Sequence, residues 1–173
     1  MPIKRNKRWK ALVKMADKKT VRKAMSKHLS IANLQAAEII RRAIILGIRN
    51  QRKEWPALKP STIAAKKKSG GSSLTLIDKG EMFRAITTKK IGKLAAFVGI
   101  PRGVKAKKGN AAGTPIALYG AVHEFGAMIK RGSTVIKIPK RSFIEPAIKE
   151  TEKDVNKLYV KATENAIREV LET

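Results

Sequence analysis

The chain has 173 residues, with 39 Lys and Arg against 13 Asp and Glu, a formal net charge of +26, and no cysteine. That length predicts one domain with an arm, large enough to bury roughly 70% of the surface its unfolded form exposes. Without cysteine there is no disulfide framework and no thiolate metal site. No apolar run approaches the ~18 residues of a membrane span, and none follows the basic start as in a signal peptide, so the expectation is a soluble chain made in the cytoplasm.

The charge is unevenly placed, at +14 over residues 1–60, +10 over 61–110, +3 over 111–148 and −1 over 149–173. Solubility alone does not need such an excess. Folding presses like charges together, so an anionic partner would stabilise the folded chain. Nucleic acid leads, ahead of an acidic protein neighbour or a membrane surface.

Residues 1–15 read as a basic N-terminal arm holding one aromatic, Trp9. Residues 16–173 read as a single α+β domain. From about Thr20 to Asn50 the apolar positions step by four through Val21, Met25, Leu29, Ile40, Ile44 and Ile48, which predicts one long helix, either continuous or broken near Ser30. Arg41, Arg42, Arg49 and Arg52 fall off this stripe, toward solvent or a partner. Trp55-Pro56 ends the helix. Ser61 is the expected N-cap of a short lysine-rich helix that runs into a Gly/Ser loop at 69–73. Residues 76–87 predict a short helix with Leu76, Met82, Phe83 and Ile86 inward.

A hairpin is expected over 87–100, split at Gly92, with Ala95, Phe97, Val98 and Ile100 buried. The basic, glycine-containing loop at 101–113 is either solvated or phosphate-contacting. Thr114-Pro115 opens a helix that closes at Gly126. A second hairpin turns at Arg131-Gly132-Ser133. A long C-terminal helix follows, with Pro146 in its first turn and a stripe through Ile144, Ile148, Val155, Tyr159, Ala166 and Val170. The predicted architecture is α+β: a small antiparallel sheet made of two hairpins, packed by the long N-terminal-half helix and the long C-terminal helix.

Catalytic chemistry finds little footing. His123-Glu124 begins like a zinc-protease helix, but Ala127 stands where the second ligand belongs. His28 lies on the polar side of the first long helix. A metal-assisted nuclease needs convergent carboxylates, and between residues 55 and 148 only Asp78, Glu81, Glu124 and Glu145 are acidic. No phosphate-binding glycine loop is framed by a strand and a helix. The expectation is no enzyme, no metal and no cofactor. What remains is charge, which binds nucleic-acid backbone through counterion release without reading sequence.

Three stretches in series carry a family resemblance. Residues 55–63, beginning Trp55-Pro56, precede a lysine-rich helix and a Leu76-to-Met82 segment. Residues 116–127 contain Tyr119 and then His123-Glu124-Phe125-Gly126. Residues 138–150 contain Pro139, Arg141, Phe143 and Pro146. Together, over about residues 55–150, they resemble the virion-morphogenesis (tail completion) family of tailed bacteriophages, and the last two segments are shared with the related neck proteins. The basic arm and first helix match none of these motifs.

The resemblance implies a structural virion protein at the head–tail junction, assembled in the host cytoplasm as a hexamer or dodecamer ring. It implies neighbours of the portal or head-completion type and of the tail-terminator or tail-tube type, with double-stranded DNA in the lumen and no membrane. Expected near nucleic acid are Lys4, Arg5, Lys7, Arg8 and Lys10 of the arm, Lys66, Lys67 and Lys68, and Arg102, Lys105, Lys107 and Lys108. As fold residues, Gly126 caps its helix in a left-handed conformation, Phe125 anchors it to the sheet, and Glu124 and Arg141 either pair, fixing the helix against the hairpin, or stay apart on the surface. The alternatives are a non-specific nucleic-acid-binding protein and, behind it, a phage nuclease relying on Asp78 or Glu81.

Overall fold

The computed structural model describes residues 7–107 and 112–172, apart from the side chains of Arg8 and Arg131. Helix α1 (Lys7–Ala16) lies within the basic arm, where Lys, Arg, Ala, Leu and Met are all strong helix formers. Helix α2 (Lys18–Arg49) runs unbroken through Ser30. Asp17 starts it, its carboxylate accepting the backbone N–H of Lys19 at 3.1 Å and of Thr20 at 3.2 Å. After α2 the chain turns at Gln51, whose φ is 50°. The Gln51 amide holds that turn, donating to Thr75 O at 3.0 Å and accepting from Thr75 N at 2.7 Å.

Helix α3 (Pro60–Lys68) starts before Ser61, which is therefore not its cap; Lys59 stands there with no side-chain bond. Helix α4 (Glu81–Ala85) is shorter than its apolar pattern suggests. Left-handed backbone at Leu76 (φ 60°) and Gly80 (φ 74°) stops the helix from extending toward the N-terminus. Strands β1 (Thr87–Gly92) and β2 (Ala95–Gly99) pair, and a two-residue connection makes the pair antiparallel. Phe97, Val98 and Ile100 are half-buried, while Ala95, expected inside, is exposed.

Helix α5 (Ile116–Phe125) leads into β3 (Ala127–Arg131) and β4 (Thr134–Ile138). These pair antiparallel from Ala127↔Ile138 to Arg131↔Thr134. Gly132, with φ 59°, takes the first turn position, where positive φ matches a two-residue loop to the strand twist. Helix α6 (Ile144–Glu172) closes the chain. The fold is α+β, with each hairpin forming its own two-stranded sheet.

The chain forms two compact units. The first comprises the described residues up to Ile39, with Lys89–Phe97 and residues from Glu152 onward. Its core is Ala24, Ala166 and Val170, flanked by Val21 and Met25. Glu169 holds Lys27 and His28 there, each at 2.8 Å, and Tyr159 donates to Asn33 at 2.6 Å. His28 is thus tied down by an acid.

The second unit comprises Ile40–Thr88 and Val98–Thr151. Ile44, Ile48, Ile86, Phe143 and Ala147 form its core, with Leu76, Met82 and Phe83 packed on it as their spacing predicts. Burying Phe143 stabilises this unit by roughly 2–3 kcal/mol. One stripe residue and one residue off the stripe depart from expectation. Ile148 is exposed. Arg52, expected in solvent, has its side chain only 9% exposed and is bound by Glu150. Its guanidinium occupies the space a side chain at Gly47 would take.

Candidate functional site

The three motif segments meet in the second unit, around the first turn of α6. A helix begins with backbone N–H groups that have no partner within the helix and with partial positive charge. Here the partner comes from the end of α5. The Glu124 carboxylate accepts the N–H of Phe143 at 2.8 Å, of Ile144 at 3.0 Å and of Glu145 at 3.1 Å, and the Ser142 hydroxyl at 2.5 Å. Burial alone raises the pKa of such a carboxyl. The four donors outweigh that and hold Glu124 below the ordinary carboxylate range.

Arg141 does not pair with Glu124, correcting the ion pair expected as one alternative. It faces the other way, Nε donating to Pro56 O at 3.0 Å and Nη2 to Ala57 O at 3.3 Å. Its backbone N–H donates to His123 O at 2.7 Å. Trp55 Nε1 donates to Ser142 O at 2.8 Å. Residues 55–57, 123–124 and 141–145 are therefore one hydrogen-bonded latch. Ser142 is the member that sequence reasoning missed, and a serine just ahead of a helical stripe was the available signal.

Two further motif residues differ from expectation. Gly126 follows α5 with φ 78° and ψ 167°, an extended conformation open in practice to glycine alone and not the left-handed cap. A Cβ there would also meet Ile138 O and Lys140 N, each at 3.2 Å. Phe125 does not anchor the helix to a sheet; it is 76% exposed. Around it lies a groove of about 570 Å³ between α5 and α6, floored by Gly120, Phe143 and Ile144. The β3–β4 hairpin is apolar and open as well, with Met128 at 77% and Val135 at 60% exposure.

Tyr119 and His123 line a smaller pocket of about 340 Å³, together with Leu58, Lys66, Leu76 and Asp78. Burial lowers the His123 pKa, and the nearby charges of Arg141 and Lys66 lower it further, so this imidazole is neutral at pH 7. Its Nδ1 is buried without a hydrogen-bond partner among the described residues. Pro139 precedes the latch, and Pro146 occupies the first turn of α6, where no intrahelical N–H is lost.

The basic residues expected near nucleic acid are divided between the two units. Lys4, Arg5 and Lys108 lie outside the described residues, as does the Arg8 side chain. Lys7 and Lys10 are exposed on α1, and Lys67 and Lys68 on α3. Lys66 is a structural residue, not an exposed cation. It donates to Ile77 O at 2.7 Å and to Leu74 O, and burial lowers its pKa. Arg102, Lys105 and Lys107 are exposed on a segment tied down by its backbone, through Ala106 N to Thr114 O and Ile116 N to Val104 O. Lys107 N donates to Glu81 at 2.9 Å.

No three His, Asp or Glu side chains gather as a metal site among the described residues. No described helix is long and apolar enough to cross a membrane. Fold and site thus define a class: a basic α+β chain whose second unit is locked by a glutamate across the first turn of its last helix. The chain is 30% identical over 115 residues to the uncharacterized protein MJ0331 of Methanocaldococcus jannaschii, a match covering 66% of this chain and 72% of the archaeal one. The chain belongs to the family of that protein. No family model matches it, and no solved structure does.

Proposed function

We propose that the chain is a structural subunit of a tailed-phage virion, a neck or tail-completion protein that self-associates as a ring at the head–tail junction beside DNA. It is not an enzyme in this reading. The observation that carries the proposal is the convergence of the three motif segments on one latch, next to apolar surface that the chain leaves open at Phe125, Met128 and Val135. The latch fixes where α5 ends and α6 begins. The open surface is what a subunit covers when it meets another. Virion location and the named neighbours rest on the resemblance of the motifs.

A second reading is a free, non-specific nucleic-acid-binding protein, which the +26 charge favours. Native mass spectrometry across salt concentrations, with and without duplex DNA, separates the two. A discrete oligomer of six or twelve copies is the expected result. A monomer at every concentration that nonetheless binds duplex would transfer the proposal to the second reading.

A further inference from the structure

The first unit carries a basic groove that neither the family-like motifs nor the expected nucleic-acid residues include. It has a volume of about 940 Å³ and is lined by five cations, Lys18, Lys19, Arg22 and Lys23 of α2 and Lys93 at the β1–β2 turn, together with the apolar Met25, Leu29 and Leu94. All five cationic side chains are exposed. None is ion-paired with a carboxylate among the described residues. The acid next to them in sequence, Asp17, is engaged by the first turn of α2 and by the Thr20 hydroxyl. We infer that this groove binds the phosphate backbone of duplex DNA. The inference takes its partner from the proposed function, and the site is its own.

Spacing supports the match. Lys18 to Lys23 is five residues of helix, about 7.5 Å. Duplex DNA, both strands counted, carries one charge per ~1.7 Å of axis, so roughly four phosphates fall in that length. Four cations on two adjacent turns, with Lys93 on the hairpin turn, supply comparable positive charge. Among the described residues no aromatic side chain lines the groove, so no base is stacked, and lysines act as point charges that read no sequence. A bilayer fits less well. Val21 and Ala24 already pack with Ala166 and Val170, and of the apolar groove residues Met25 and Leu29 are only partly exposed, which leaves Leu94 as the mostly exposed one. An extended acidic peptide, at about 3.4 Å per residue, carries only about two charges over the same length, so the five cations match duplex more closely, although Met25, Leu29 and Leu94 would also seat its apolar side chains.

The test compares the full chain with a groove variant, Lys18→Gln, Arg22→Gln, Lys23→Gln and Lys93→Gln, and with a charge-matched variant on α6, Lys153→Gln, Lys157→Gln, Lys161→Gln and Arg168→Gln. Removing cations near the N-terminus of α2 does not oppose the helix dipole, so the groove variant should fold. Binding of a short duplex of arbitrary sequence is followed by fluorescence anisotropy between about 50 and 200 mM salt. Each phosphate contact contributes about 0.9 to the slope of log affinity against log salt. The groove variant should lose roughly 3 of that slope and at least about tenfold in affinity at low salt, and the α6 variant much less of both.

Equal losses in the two variants, or an unchanged groove variant, would overturn the site while leaving the ring reading intact. Failure of the unaltered chain to bind duplex would overturn both the inference and the DNA part of the proposed function. Groove-dependent binding of polyglutamate or of phosphatidylserine vesicles in preference to duplex would overturn the choice of partner.

Discussion

Glu124 does at one residue what a capping box does with two. It reaches from the end of α5 and satisfies three N–H groups at the start of α6, so loss of its charge is felt in both helices at once. In Glu124→Gln the amide nitrogen has to face N–H donors it cannot accept from. Bonds to a charged group contribute about 1.5–3 kcal/mol each way of counting, and we expect urea unfolding to show a loss of about 2–4 kcal/mol. Gly126→Ala should cost about 1–3 kcal/mol through its backbone conformation alone. The pH dependence has a definite sign. Because the folded carboxyl is held below its ordinary value of 4.5, its contribution is fully present above that pH and is lost as pH falls through the lower folded value. The Gln variant should lack that part of the acid profile. A Glu124→Gln loss under about 0.5 kcal/mol, the size of an ordinary surface change, would mean the latch is not what holds α6.

At the scale of elements, the β3–β4 hairpin stands out. A two-stranded hairpin is marginal by itself, and this one carries Met128, Ile129, Val135 and Ile136 on its surface with both strands as edges. Met128→Lys with Val135→Lys should leave the stability of the monomer within about 0.5 kcal/mol, since both side chains are mostly in water. The same pair should convert the proposed oligomer to monomer in native mass measurements; an oligomer that persists would place the subunit contact elsewhere. The elements themselves were legible wherever a long stripe existed. The four-residue steps of α2 and α6 and the inward faces of Leu76, Met82, Phe83 and Ile86 read directly. Short elements did not, because backbone at Leu76 and Gly80 decides where α4 starts and carries no hydropathy signal. Nor did partners distant in sequence. Arg52 falls off the apolar stripe yet meets Glu150, 98 residues on, and Glu124 takes the first turn of α6 in place of Arg141. Sequence placed the motif residues in the site but not their bonds, since hydrogen bonds across turns depend on geometry that spacing leaves open.

For the whole molecule, the governing quantity is the +26 charge. Four of its 13 acids sit at structural points: Asp17 on α2, Glu124 on α6, Glu150 on Arg52 and Glu169 on Lys27 and His28. The other nine cannot offset 39 Lys and Arg, and the folded chain stays self-repelling. Screening should therefore stabilise it. The Debye length falls from about 30 Å at 0.01 M salt to about 10 Å at 0.1 M, which suppresses repulsion across the surface while leaving the close contacts of the latch largely unscreened. The midpoint of thermal unfolding should rise over that range, each kcal/mol gained showing as about 2–4 °C for a chain of this size. Duplex DNA at low salt should raise it further, by about 2.7 kcal/mol at a free concentration 100 times its dissociation constant. Chloride and duplex act differently here: added salt removes the repulsion and then competes with DNA, so the DNA-induced rise should shrink as salt increases. A midpoint that falls with salt in the absence of DNA would show that surface ion pairs, not repulsion, dominate the balance, and the argument from net charge to an anionic partner would lose its footing.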